Sequence, residues 1–351
     1  MSKLRVIALI ACLGRPVAAQ EATIALRDRA VVISIGPVDI PAHRPYDLPA
    51  STPPVHLTWP ASGWARGYSI DLVDSAGRVL PRTLLHHAAV ANLDRRQLLN
   101  PMAERLLAVG QETEEVSLPG ALGVPLTIGD RLLVYYALAN PGAEDIKGAA
   151  LRLTVPWQPA GSTTGTRSVF PVEIDALPLV GRSSTFDVPP GSFTIESEFT
   201  VPTSGRIRNA GAHLHRYGVE VRIEDAESGK VLVRLPARRD PDGRVLSVAR
   251  TGARVLALGV PLTAGRRYRV VGEYFNPTCD TISGAMAGVG AVFEPDDARA
   301  WPQVDREDPV YRQDVSWLTG TEAGHGAHHT DVSRGAASAA CVSAARSDAR
   351  R

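Results

Sequence analysis

His213 and His215 stand one residue apart in the stretch 205–225, GRIRNAGAHLHRYGVEVRIED. The surrounding residues read as a β-strand, and on a strand residues two apart share a face. Two imidazoles on one face are placed to chelate a metal ion. Met286, in the small-residue segment SGAMAGVGAVF, reads as part of a later strand. Two imidazoles and a thioether are a soft donor set that favours copper over magnesium or calcium. Histidines alternate on many strands and a single methionine is often core filler, so the chemistry depends on whether the three converge. Near Gly205–Asp225, Arg216 and Tyr217 read as strand-end surface residues. A second pair, His86 and His87, is adjacent in sequence. Adjacent side chains on a regular strand diverge, so this pair could share an ion only at a bulge or strand end. No histidine lies between His87 and His213. Tyr135 and Tyr136 are the nearby polar aromatics, and a structural role for the pair stays open beside metal binding.

The elements that must position these groups are mostly strands. The chain has 351 residues, 27 prolines and 31 glycines, with short apolar runs between turn signals. Ala30–Ile35 and Tyr68–Val73 read as strands, and 41–60 as proline-rich loop or edge. The spacing of Leu98, Leu99, Met102, Leu106 and Leu107 predicts a helix over 94–109, ended by Gly110. A formal net charge of +1 gives no reason to expect nucleic acid or an anionic membrane as partner.

Residues 123–141, GVPLTIGDRLLVYYALANP, match 259–277, GVPLTAGRRYRVVGEYFNP, without a gap. The match continues through Ile146 and Ile282, Gly148 and Gly284, and Ala149 and Ala285. Weaker echoes pair 46–49 with 186–189, and 58–63 with 200–205. The echoes come in the same order in both halves, and a histidine pair stands between the last two in each. Such self-similarity predicts two copies of one domain. The expected fold is all-β, two tandem jelly-roll-like β-sandwich domains, with GVPLTxG as a turn entering a strand.

The expected organisation is a signal peptide over 1–19, an N-terminal sandwich over 20–160, a C-terminal sandwich over 161–297, an extension over 298–318 and a disordered tail over 319–351. Lys3 and Arg5 precede an apolar run, and Val17, Ala18 and Ala19 supply small residues for cleavage before Gln20. This predicts a secreted or periplasmic protein. Lipoprotein anchoring at Cys12 is a second reading, and no other segment is long and apolar enough to span a bilayer. Cys279 and Cys341 would remain after cleavage, and export permits a disulfide. The tail is polar and small-residue-rich, too poor in apolar surface to fold. Its His325, His328 and His329 could hold a metal loosely.

Tandem sandwiches with HH in the first and HxH plus a later methionine in the second resemble the copper type II, ascorbate-dependent monooxygenases. That family includes the peptidylglycine hydroxylating enzymes and dopamine β-monooxygenase, and this chain resembles a divergent, bacterial-type member. The resemblance spans roughly residues 25–295. It implies that His213, His215 and Met286 hold the oxygen-activating copper. It implies that His86 and His87 are two of three ligands to an electron-transfer copper. The third would stand in YYALANP, where this chain has Ala137 and Ala139, so the second site is incomplete. It further implies C–H hydroxylation of a small-molecule or peptide substrate, with ascorbate as a reductant. No catalytic side chain is assigned.

Two other readings stay open. One is a non-catalytic metal-binding or cell-surface protein; the same double sandwich also occurs in peptide N-glycosidase F, so the fold does not choose a reaction. The other takes HxH and Glu220 as a cupin-like first motif, although no second-motif histidine follows before the tail.

Overall fold

The computed structural model describes residues 21–320, except 45–49, 114, 120, 163–164 and 178–184. The signal peptide, Cys12, Cys341, the tail histidines and the 46–49 echo therefore lie outside the described residues. The protein is all-β, two tandem jelly-roll-like sandwiches, each closed over its own apolar core.

In the first sandwich, one sheet carries Ala30–Ile40, Gly67–Val73 and Ile146–Pro159. The opposing sheet carries Val55–Thr58, Arg131–Leu138, Leu85–Arg96 and Ala103–Gly110. Alternation does the work: Val31, Ile33 and Ile35 are buried, and the residues between them are not fully so. The second sandwich places Phe170–Asp175, Ala287–Pro295, Gly205–Leu214 and Val260–Leu262 in one sheet. Gly191–Thr200, Arg267–Asn276, Gly218–Asp225 and Val231–Arg239 form the core of the other.

The two halves repeat their pairing residue by residue. Arg131 lies opposite Thr58, and Arg267 opposite Thr200. Gly63 faces both Pro159 and Leu126, as Gly205 faces both Pro295 and Leu262. The repeated Asn-Pro is a turn anchor: the Asn140 amide donates to Ile40 O and Glu144 O, and the Asn276 amide to Val188 O and Asp280 O.

The segment 94–109 is not a helix. Leu85–Arg96 and Ala103–Gly110 form an antiparallel hairpin. The apolar residues that mimic helical spacing serve different cores. Leu98 is buried in the second sandwich and Leu107 in the first. Tertiary burial overrides the local period.

Beyond Pro295 the chain ties the halves together. Trp301 stacks on Phe170, ring centroids 4.3 Å apart, and donates to Arg96 O. The helix Pro309–Leu318 begins with Asp308 accepting from Val310 N, and Pro309 fills the first helical position. Its buried Asp314 accepts from Ala103 N and grips Arg105 through two nitrogens, at 2.9 and 2.5 Å. Cys279 is disulfide-bonded; its partner lies outside the described residues.

Candidate metal centre in the cavity between the sandwiches

A cavity of about 610 Å³ opens between the two halves. Its lining includes His87, His213, His215 and Met286, together with Trp317 and Gly320 of the C-terminal segment. On Gly205–Leu214, Ala210 and Leu214 turn into the second core. Asn209, Gly211 and His213 therefore face the other way, into the cavity, and His215 follows on the same side.

The Nε2 atoms of His213 and His215 stand 2.9 Å apart, with the rings nearly perpendicular. The Nδ1 atoms are both already engaged. His215 Nδ1 is 2.6 Å from Gly284 O, and a carbonyl only accepts, so this nitrogen carries the proton. His213 Nδ1 is 2.7 Å from Glu112 Oε1. Burial alone would raise the Glu112 pKa, but the His213 charge and hydrogen bond outweigh it and leave the carboxyl below its ordinary value. The carboxylate therefore accepts and His213 Nδ1 also donates. For His213 itself burial opposes the charged ring, Glu112 overrides it, and the pKa ends above the ordinary value. With both Nδ1 atoms engaged, the two Nε2 atoms are turned towards one point. That contact is stable only with a proton or a metal cation between them. A carboxylate or carbonyl behind each imidazole is the outer-shell pattern of metal-bound histidine.

Glu112 comes from the first sandwich. It is almost fully buried in the loop after Ala103–Gly110. The Arg82 guanidinium holds that loop by donating to the carbonyls of Ile70, Gly110, Gln111 and Thr113. Gly110 leaves room for the acid, since a Cβ there would fall 2.3 Å from Glu112 Oε2. Neither Arg82 nor Glu112 announces itself in sequence; Glu112 is one of several acids in the run QETEE.

Met286 sits between Ile282–Ala285 and Ala287–Pro295, where one continuous strand, Ile146–Pro159, runs in the first sandwich. Its carbonyl accepts from the Tyr274 hydroxyl and from His215 N, and it lines the same cavity as the two rings. Two imidazoles and a thioether lining one cavity are residue types that could hold a soft cation.

The first pair is arranged differently. Ala137 lies opposite His87 while Leu138 lies opposite Leu85, so His86 is the extra residue of a β-bulge. The bulge brings the His86 and His87 rings to 4.9 Å between centroids. His86 is buried and His87 lines the cavity. Ala137 and Ala139 are fully buried and offer no donor. The Tyr135 ring stands 6.5 Å from His87, and burial pushes its hydroxyl up to about 12. Among the described residues no group of three or more His, Cys, Asp or Glu side chains is placed to hold a metal ion.

The two histidine pairs are not equivalent in the repeat, although each follows the same echo. Gly288 faces His213, and its counterpart Arg152 faces Asp71. The first-half counterparts of His213, His215 and Met286 are thus Asp71, Val73 and Ala150. His86 and His87 belong to the strand that matches Gly218–Asp225, because both strands flank the repeated YYALANP-type strand.

Glu220 lies in the opposite sheet from the HxH pair and accepts from Arg222 and Arg234. That ion-pairing takes it away from the cupin-like role. Tyr217 is not a surface residue: it is buried in the second core, and only Arg216 reaches outward, donating to Asp242 O.

No protein-family model matches the chain, and no curated protein matches it. Among solved structures it is similar to the STIV MCP, with 10% identity over 74% of this chain and 97% of that chain and a TM-score of 0.37. The major capsid protein P2 from bacteriophage PM2 is similar at 10% identity over 71% of this chain and 94% of that one, TM-score 0.36. PNGF-II is similar at 10% identity over 77% of this chain and 60% of that one, TM-score 0.33.

Proposed function

We propose that the chain is an exported copper protein that binds one ion at His213 and His215, with Met286 as third ligand, and acts on a small molecule in the adjoining cavity. The supporting observation is the approach of the two Nε2 atoms to 2.9 Å, with both Nδ1 atoms committed elsewhere. Copper bound there would supply oxygen activation for hydroxylating a C–H bond, with electrons from a reductant such as ascorbate. The protein's own part is to fix both rings through Glu112 and Gly284, and to hold the substrate in a cavity shielded by the helix Pro309–Leu318.

A second reading, a non-catalytic copper-binding protein, draws on Ala137. That residue lies opposite His87 where a third ligand would complete a second centre. Copper titration of the wild type beside His213→Ala and Met286→Ala tests the site. Oxygen uptake with ascorbate that both substitutions abolish would favour the enzyme. Copper binding with background turnover would favour the second reading. Unchanged copper affinity in His213→Ala would overturn both.

A further inference from the structure

One sheet of the second sandwich floors the cavity. Phe170–Asp175, Ala287–Pro295 and Gly205–Leu214 lie side by side, and their register sets rows across it. These are Pro171, Val292, Asn209, then Glu173, Gly290, Gly211, then Asp175, Gly288, His213. Two of the glycines are already covered. The Asp175 carboxylate fills the space over Gly288, and Arg250 lies over Gly211, its Cζ 3.3 Å from where a Cβ would stand. A Cβ added at Gly290 would meet nothing within 4 Å. The open floor is thus a notch at Gly290, two residues or roughly 7 Å along the strand from the row of His213. Pro54, Met102, Leu106, Val292 and Trp317 give the cavity apolar walls.

Among the described residues, the charged side chains that line the cavity besides histidine are Arg105, Arg250, Glu173, Asp175 and Asp314. Each already has a partner. Asp314 grips Arg105 through two nitrogens, and Glu173 lies 3.9 Å from the same guanidinium. Arg250 hydrogen-bonds to Tyr68, and Asp175 is engaged as well. The rings are committed too, His213 to Glu112 and His215 to the Gly284 carbonyl. An ion entering this space would shed its water and would have to break one of these pairs to find a counter-charge. An uncharged apolar body has no such cost, and each methylene moved from water onto such walls tightens binding roughly fourfold.

We infer that this cavity takes an uncharged, largely apolar molecule, a compact ring system seated in the Gly290 notch with one edge towards His213 and His215. The inference names the class of molecule for the site proposed above and rests on that reading for any chemistry that follows. Binding itself needs no metal, so the two fail separately.

The test is calorimetry at neutral pH on the full chain stripped of metal, with three probes that share one ring skeleton. They are 2-indanol, which is neutral, 2-aminoindane, a cation, and indane-2-carboxylate, an anion. The alcohol is expected to bind at least tenfold tighter than either ion. Gly290→Ala should weaken the alcohol several-fold and Gly290→Leu at least tenfold, because the added side chains occupy the notch. Thermal midpoints check that the variants fold, and the alanine variant decides if the leucine variant does not. An ion that binds as tightly as the alcohol, binding of no probe, or unchanged alcohol affinity in Gly290→Ala would overturn the inference. The alcohol preference in a chain that takes up no copper would overturn the copper reading alone.

Discussion

Glu112 and His213 are 101 residues apart in the chain and one hydrogen bond apart in space, Oε1 accepting from Nδ1 at 2.7 Å. The acid belongs to one sandwich and the ring to the other. The ring's orientation therefore depends on how the halves meet. Glu112→Gln can turn an amide N–H towards Nδ1 and move the ring proton to Nε2, removing the lone pair that faces His215. Copper affinity should fall by about 10- to 100-fold, as for other outer-shell partners. Gly110→Ala should act in the same direction, because its Cβ would displace the carboxylate. Isothermal titration with both variants is the check; affinity equal to wild type in Glu112→Gln would remove the acid from the site.

In the proposed site Met286 would be the group that distinguishes copper from harder ions. A thioether favours the monovalent ion over the divalent one. Met286→Ala should therefore lower copper(I) affinity at least tenfold and leave copper(II) affinity within a few-fold. Competition against a copper(I) chelator and a copper(II) chelator reads the two separately. Equal losses for both ions would mean that the sulfur is not a ligand.

Ala137 faces His87 directly across two paired strands. Residues so placed have Cβ atoms about 5 Å apart on one face. Ala137→His would set a third imidazole beside the two brought together by the His86 bulge. Metal stoichiometry should rise from one to two per chain. The position is fully buried, so overpacking should cost about 1–3 kcal/mol in a denaturant titration. Stoichiometry that stays at one in a folded variant would show that the pair is structural.

The strands, the duplication and the shared face of His213 and His215 were legible because they are local. Alternation is written in consecutive residues, and the repeat in a gap-free match. What the sequence hid is what depends on distant partners. Leu98 and Leu107 look like one helical stripe, yet each is drawn into a different core. The bulge at His86 follows from register against Leu138, which no neighbour of His86 records. The false symmetry of the histidine pairs has the same origin. Order along the chain agrees in both halves, while the strand pairings put one pair on the cavity face of Gly205–Leu214 and the other on a strand equivalent to Gly218–Asp225. Glu112 could be found only by folding the two halves together.

Glu104 tests the electrostatics of the first sandwich independently of the metal centre. It is fully buried on Ala103–Gly110, and among the described residues neither carboxyl oxygen has a hydrogen-bond partner. Burial pushes its pKa up from 4.5 to about 7, with Arg95 opposing and Asp130 adding to the shift. The folded state therefore holds this proton more tightly than the unfolded chain does. Between pH 4.5 and 7 the native protein binds more protons, so stability falls as pH rises through that window. Below it both states are protonated and the penalty vanishes; above it the buried charge is carried in full, a cost on the order of 3 kcal/mol. Glu104→Gln abolishes the titration. Its stability relative to wild type should rise by a few kcal/mol between about pH 4.5 and pH 8. Urea unfolding of both proteins at those two values measures the difference. A gap that does not change with pH would mean that Glu104 is ionised in the folded protein throughout, with a cation beside it.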